Sequence, residues 1–148
     1  NLRGDPFNLG PEVPRGFLSI LSKAEPEPFA KGSGRLELAE RIVEQPLATR
    51  VYVNRIWKAH FGTGIVDTPS NFGTTGERPT NPELLEYLAA TFAKNGQSTK
   101  KLHREILLSN VYQLSSDSDA ANLAKDSGNR SYWRYDKKRM DAEQLRDS

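Results

Sequence analysis

The chain has 148 residues, of which 36% are hydrophobic and 27% are charged, and this suits one domain with a modest core. The net charge of +2 is too small to indicate a polyanionic partner, and the absence of cysteine excludes disulfides, thiolate metal sites and a cysteine nucleophile from these residues. No apolar run reaches the roughly 20 residues that a membrane-spanning helix needs.

Residues 1–34 are predicted to form an extended, loop-rich lead-in. Five prolines interrupt any helix there, because proline lacks the amide hydrogen and clashes with the preceding turn; they are Pro6, Pro11, Pro14, Pro26 and Pro28. One apolar island is expected to pack on the core, and it consists of Phe17, Leu18, Ile20 and Leu21. Residues 31–34 are predicted to form a turn or linker.

A helical domain is predicted over residues 35–148. Apolar residues at helical spacing predict a first helix over Arg35–Glu44 and a second over about Leu47–Phe61. Gly62 suits the position just past the second helix. A short extended piece is then expected at residues 65–66.

Residues 67–80 are predicted to form a long polar loop before the third helix. That helix has a clear start, with Asn81 as the capping residue and Pro82 at the first helical position, and it is expected to end at Gly96. A fourth helix is predicted to follow Ser98 as its cap.

Residues 115–131 contain few large apolar side chains and are predicted to be irregular and mobile. A last helix is predicted to begin near Asp141 and to continue to the end of the sequence. Four or five short helices, with almost no alternating pattern, predict an all-α fold with long ordered loops and no extended sheet.

Several stretches resemble one known family in their order and spacing. They are VPRGFLSIL at 13–21, SGRLELAERI at 33–42, PLATRVYVNRIWKAHFGTGIVDTPSNFG at 46–73, PTNPELLEYLA at 79–89, KKLHREILLSNVYQLSS at 100–116 and NRSYWRYDKKRMDAEQLRD at 129–147. The chain resembles the amino-terminal part of a domain-of-unknown-function family, number fifteen-fifty-three, that is abundant in planctomycete-type bacteria. Gln113 departs from the family pattern, which has arginine there. The pattern also continues beyond this chain, so the domain is expected to be truncated at its carboxyl end.

The resemblance implies a large, exported, multidomain bacterial protein of the periplasm or cell envelope. Members of the family occur beside other domains, including a c-type cytochrome domain, and some are associated with polysaccharide breakdown. The expected partners are therefore other domains of the parent protein and carbohydrate. The resemblance implies no catalytic residues, so these stay unknown, and no cofactor is predicted for this chain.

Two histidines are candidate functional residues. His60, near the end of the second helix, suits a proton shuttle, a metal or haem ligand, or a partner for a ring. The simpler interpretation, a histidine hydrogen-bonded at a helix end, is favoured because one histidine is a weak metal signal. His60 and His103 would need carboxylates to hold zinc, and neither an HxxxH nor an HxxE spacing occurs. No metal site is predicted.

Polar residues in the second helix form the other set of candidates, namely Arg50, Asn54 and Arg55, with Trp57 beside them and Asn71 in the following loop. A guanidinium group near an indole ring suits a sugar or carboxylate ligand. The favoured alternative is that these groups hydrogen-bond the backbone of the 67–80 loop and hold it in place. Asp67 and Glu77 could act as a general acid and base, but nothing in their spacing requires it.

The segment Tyr132–Arg139 mixes aromatic and basic side chains, a composition that also occurs in proteins that bind single-stranded nucleic acid. The nearly neutral chain and the shortness of the segment favour inward packing of the aromatic rings instead. No nucleic-acid partner is predicted.

The leading hypothesis is a binding or scaffold module of a polysaccharide-related assembly. The alternative is part of a carbohydrate-active enzyme whose site is completed by residues outside this chain or by another domain. Convergence of Arg55, His60, Asn71 and His103 on one cleft with a carboxylate would favour the enzyme. Hydrogen bonds from these side chains to the backbone of the loop would instead favour the binding or scaffold module.

Overall fold

The computed structural model describes residues 4–5, 7–22, 24–25 and 27–147. Pro6 and Pro26, two of the prolines expected to interrupt the lead-in, lie outside these residues. The chain divides into two compact units, Asn1–Ala48 and Thr49–Ser148. The described residues contain six α-helices, no sheet and a single isolated antiparallel bridge between Gly16 and Pro28, so the all-α prediction is confirmed.

The first unit contains a short 3-10 turn, Ser19–Leu21, and the helix α1, Arg35–Glu44, at its predicted bounds. The predicted turn at residues 31–34 is present and ends at Gly34, whose φ of 72° is in the left-handed region. The Glu37 carboxylate accepts hydrogen bonds from the backbone N–H groups of Ala30 and Lys31 at 3.1 and 3.0 Å. The turn therefore brings the end of the lead-in against the first turn of α1.

The apolar island of the lead-in does not pack as predicted. Phe17 is buried, but the three other residues are exposed, and Ile20 retains 89% of its accessible surface. The 3-10 turn is the reason, because three residues per turn point Ser19, Ile20 and Leu21 in three different directions. The apolar residues of α1 are also exposed, and no residue of that helix is buried.

The helix α2, Pro46–Phe61, is followed in the second unit by α3, Pro82–Lys94, α4, Thr99–Leu107, α5, Ala120–Lys125, and α6, Ala142–Asp147. Two predicted start signals and one predicted end signal are confirmed. Asn81 Oδ1 accepts a hydrogen bond from Leu84 N at 3.0 Å, Ser98 Oγ accepts one from Lys101 N at 3.4 Å, and Gly62 follows α2 with a φ of 85°.

The core of the second unit is formed by three helices and one loop. Its buried residues are Val53, Trp57 and Phe61 of α2, Leu85, Leu88 and Phe92 of α3, Leu102 and Ile106 of α4, and Ile65 and Val66 of the loop. The apolar spacing in the sequence thus corresponds to the buried faces of α2, α3 and α4.

Two local expectations were wrong. Residues 65–66 form bends rather than an extended piece, because the Ile65 carbonyl accepts from Thr80 and the Val66 backbone pairs with the Asn54 side chain. The stretch 115–131 contains the helix α5, which begins after Asp119, whose Oδ1 accepts a hydrogen bond from Asn122 N at 2.8 Å. The helix was missed because it has six residues and none of them is buried.

Candidate functional site

Asn54 holds the loop after α2 against that helix. The side chain is completely buried, Nδ2 donates to the Val66 carbonyl at 2.9 Å, and Oδ1 accepts from Val66 N at 2.8 Å. A Cβ atom at Gly64 would lie 2.9 Å from both polar atoms of this amide, so the close approach needs glycine there. The amide satisfies two buried backbone groups at once, which is a structural role.

Asn71 has the corresponding role inside the loop. Its Oδ1 accepts from Gly73 N and its Nδ2 donates to Thr75 Oγ1, both at 3.1 Å, while its carbonyl accepts from Thr68 Oγ1 at 2.8 Å. The loop is therefore an ordered structure with internal hydrogen bonds. Asn71, like Asn54, has its polar atoms engaged by the loop itself.

The two arginines of α2 have different surroundings. Arg50 forms a bidentate ion pair with Glu86 of α3, with nitrogen–oxygen distances of 2.5 and 2.7 Å. Hydrogen bonding to Arg50 lowers the pKa of the Glu86 carboxyl, and the same contact raises the pKa of Arg50. Arg55 is exposed, and its side chain has no hydrogen bond or ion pair to any residue that the structure describes.

Trp57 is a core residue rather than a platform for a ligand. It retains 2% of its accessible surface, stacks on Phe61 at a centroid distance of 4.1 Å, and donates its Nε1 hydrogen to Tyr132 Oη at 2.9 Å. A ring so covered cannot stack on an external sugar. The predicted combination of guanidinium and indole therefore does not form a ligand site.

His60 and His103 are the two candidates that the structure brings together. His60 Nε2, at the end of α2, lies 2.7 Å from His103 Nδ1, near the start of α4, with the rings at 73° to each other. One nitrogen must donate and the other accept, so at least one of the two imidazoles is neutral. The pKa of His60 is lowered by burial, by His103 and by Lys138.

Aromatic and basic residues surround the imidazole pair and close the end of α2. The edge of Tyr112 contacts the His60 ring at a centroid distance of 5.7 Å, and Tyr135 Oη donates to the His60 carbonyl at 3.1 Å. Lys138 Nζ donates to the carbonyls of Ala59 and His60. Because the last carbonyls of a helix lack intrahelical partners, a cation there is stabilising.

The aromatic and basic segment Tyr132–Arg139 contributes its rings to packing within the second unit. Trp133 and Tyr135 are half-buried, and Trp133 Nε1 donates to the Asp126 carbonyl at 2.9 Å. Burial raises the pKa of the Tyr135 hydroxyl and lowers that of Lys138. The rings of this segment pack inward, as a lead-in to a helix would.

Within the part of the chain that the structure describes, no third metal-ligating side chain joins the imidazole pair. No cluster of three or more histidine, cysteine or carboxylate side chains that could hold a metal occurs among the described residues. A structural zinc site normally has four protein ligands. The pair can accept or pass a proton, but no carboxylate in the described part of the chain completes a metal site with it.

A polar groove of about 450 Å³ lies elsewhere on the second unit. Its walls come from the end of the 67–80 loop with the start of α3, and from the turn after α5; the lining residues are Glu77, Arg78, Pro79, Thr80, Asn81, Arg130, Ser131 and Tyr132. None of the seven ligand-binding candidates lines it. The signals in the sequence were the long polar loop at 67–80 and Arg130, which lies just before the aromatic and basic segment Tyr132–Arg139.

Tyr132 connects this groove to the core. Tyr132 lines the groove, its ring contacts Trp57 in the core, and its hydroxyl accepts the Trp57 hydrogen bond. Its φ of 53° lies in the left-handed region that aromatic residues rarely adopt. Burial raises the pKa of this hydroxyl. The floor of the groove is therefore fixed by the packing of α2.

The fold and the sites together define a small, mainly helical module with a closed imidazole pair and an open polar groove. The chain belongs to the family described as protein of unknown function (DUF1553), whose model matches residues 34–148, and this confirms the resemblance. No curated protein and no solved structure matches the chain. None of the helices that the structure describes is long and apolar enough to cross a bilayer.

Proposed function

We propose that this chain is a non-catalytic binding or scaffold module of a larger exported bacterial protein, and that it contributes to a polysaccharide-related assembly. The observation that carries the proposal is the open polar groove beside Tyr132. A carbohydrate ligand needs hydroxyl, amide and charged groups that can exchange hydrogen bonds, together with a ring that covers its apolar face. The lining residues supply all of these groups.

The contacts of the other polar candidates support ligand binding at the groove rather than along α2. Asn54 and Asn71 are engaged by the loop, Arg50 is paired with Glu86, and Trp57 is buried in the core. Side chains with such partners are held in place and cannot turn toward a substrate without breaking those contacts.

The exposed apolar residues of α1 support the scaffold part of the proposal. Leu36, Ile42 and Val43 retain 67%, 49% and 51% of their accessible surface. An apolar helix face of this kind suits contact with another domain of the parent protein. Export to the periplasm or cell envelope belongs to the same proposal, and fractionation of the source cells tests it, since recovery in the cytoplasmic fraction would contradict it.

Blocking the groove tests the binding function. Ser131→Trp places a large side chain in the groove, and Ser118→Trp is the matched control because Ser118 is exposed and does not line it. We expect neutral or acidic oligosaccharides to raise the thermal midpoint of the unaltered chain and of Ser118→Trp, but not of Ser131→Trp. A ligand at a hundredfold excess over its dissociation constant adds about 2.7 kcal/mol of stability. Equal shifts in all three proteins would move the binding site away from the groove.

The alternative function is part of a carbohydrate-active enzyme completed by other residues or another domain. The His60–His103 pair favours it, because the lowered pKa of His60 keeps that imidazole neutral and able to accept a proton near pH 7. Assays of the full parent protein with polysaccharide substrates test this. Turnover that is lost in His60→Gln and His103→Gln variants of unchanged thermal midpoint would replace the module by the enzyme.

A further inference from the structure

Two arginines enter the groove from separate, well-ordered segments. Arg78 lies two residues before Thr80, whose N–H donates to the Ile65 carbonyl at 2.9 Å. Arg130 and Ser131 donate their backbone N–H groups to the two oxygens of Asp126 at 3.0 and 2.8 Å. Because both backbones are anchored, the two guanidinium groups are presented to one space without ordering a loop first.

Neither guanidinium group is held by a hydrogen bond within the part of the chain that the structure describes. The side chains of Arg78 and Arg130 have no ion pair or hydrogen bond to the residues that the structure describes, whereas Arg50 is bidentate with Glu86. The Asp126 carboxylate accepts hydrogen bonds from two backbone N–H groups and also attracts Arg130 electrostatically. The groove therefore presents two arginines whose guanidinium groups have no hydrogen-bonded partner among the described residues.

Glu77 lines the same groove and limits the charge that a ligand can carry there. One carboxylate beside two guanidinium groups leaves a single net positive charge from these three residues. A ligand with one acidic group would be attracted, while a second acidic group nearby would meet the Glu77 carboxylate. The carboxylate can also accept hydrogen bonds from hydroxyl groups of a ligand.

We propose that the groove binds an acidic saccharide through one oxyanion, a carboxylate or a sulfate ester, held between Arg78 and Arg130. The guanidinium group is planar and donates two parallel hydrogen bonds to an oxyanion, which lysine cannot reproduce. The sugar ring then lies by Tyr132, with Ser131 and Glu77 bonding its hydroxyls. This deepens the proposed function and depends on it.

Calorimetric titration of the 148-residue chain tests the inference with three probes: a trisaccharide that contains one uronic acid residue, the same trisaccharide with that carboxyl group reduced to an alcohol, and sodium sulfate alone. We expect the acidic trisaccharide to bind at least tenfold more tightly than the other two, since hydrogen bonds to charged groups are the stronger ones. Arg78→Ala and Arg130→Ala should each weaken that binding about tenfold or more.

Matched variants separate the two arginines from general charge. Arg55→Ala removes the same charge from an exposed residue that does not line the groove, and it should bind the acidic trisaccharide as the unaltered chain does. Arg78→Lys should recover part of the loss only. Glu77→Gln should strengthen binding of a fully sulfated trisaccharide more than of the singly acidic one. All variants should keep the thermal midpoint of the free protein, because the altered side chains are exposed.

The outcomes distinguish this inference from the function on which it rests. Equal binding of the acidic and neutral trisaccharides, unaffected by Arg78→Ala, would overturn the oxyanion contact and leave the binding module in place. Sulfate binding as tight as that of the trisaccharide, with the same dependence on both arginines, would overturn the saccharide and leave an anion site. No binding of any probe would overturn the inference and the proposed module together.

Discussion

The imidazole pair and the groove lie on the same unit but differ in whether their polar groups have partners within the protein. At the end of α2, His60 contacts His103, and its carbonyl accepts from Tyr135 and Lys138. In the groove, the side chains of Arg78 and Arg130 have no such partners in the described chain. A polar group that the fold has already satisfied contributes to stability, while one left open is available to a ligand.

Among the variants considered, Asn54→Ala should destabilise the protein most, because it removes a buried amide that holds the loop after α2. It leaves the buried N–H and carbonyl of Val66 without partners, and each unsatisfied buried group costs about 1–3 kcal/mol. We expect a loss of roughly 2–5 kcal/mol in the free energy of unfolding, measured by urea denaturation. Asn71→Ala is the control, since Asn71 is exposed and water can replace its bonds. Equal costs for the two would show that the buried amide does not hold the loop.

The contact between Trp57 and Tyr132 joins the closed region to the groove. Trp57→Phe removes the donor to Tyr132 Oη and part of a buried ring, and we expect it to cost about 2–4 kcal/mol. Tyr132→Phe should cost about 1 kcal/mol. In a double-mutant cycle the two should be coupled by about 0.5–1.5 kcal/mol. Strictly additive costs would mean that the hydrogen bond contributes nothing.

The imidazole pair should make stability depend on pH. The pKa of His60 is lower in the folded state than its ordinary value of 6.5, so the unfolded chain binds more protons between these two pKa values. Stability should therefore be complete above about pH 6.5 and decrease as the pH falls toward the folded pKa. Thermal midpoints across this range test the sign.

His60→Gln is the variant that isolates this effect. It removes the titrating group, and the decrease in stability between about pH 7 and pH 5 should become shallower than in the unaltered chain. The loss of carboxylate contacts at lower pH, such as Arg50–Glu86, should remain in both proteins. The same slope with and without His60 would assign the pH dependence to other groups.

The helices could be predicted from the sequence because their bounds depend on residues that are close together in the chain. The bounds of α1 to α4 follow from caps such as Asn81 and Ser98 and from apolar spacing, which are local signals. The tertiary pairings could not be predicted in the same way, because His60 and His103 are 43 positions apart and Trp57 and Tyr132 are 75 apart. No periodic pattern determines which side chains meet at such separations.

Among the candidate site residues, too, local features could be predicted and tertiary ones could not. The alternative that polar groups of α2 hold the 67–80 loop describes only Asn54, which bonds Val66 just before that loop, whereas Arg50 pairs with Glu86. The loop itself was identified from its composition. The groove was not predicted because its two walls come from segments on either side of α3, α4 and α5. Arg78 and Arg130 look like ordinary surface residues until both walls are placed.

Arg50→Ala should have the smallest effect on stability among the variants that remove an internal contact, and it separates an arginine with a protein partner from one without. The Arg50–Glu86 pair is bidentate, but its side chains retain 35% and 57% of their accessible surface, and exposed ion pairs contribute about 0–1 kcal/mol. A double-mutant cycle with Glu86→Gln, measured by urea denaturation, should give a coupling within that range that decreases as salt is added. Arg78→Ala should change stability even less, because no partner of that side chain is lost. A cost for Arg78→Ala as large as that for Arg50→Ala would reveal an internal partner for Arg78 and remove it from the groove as a binding residue.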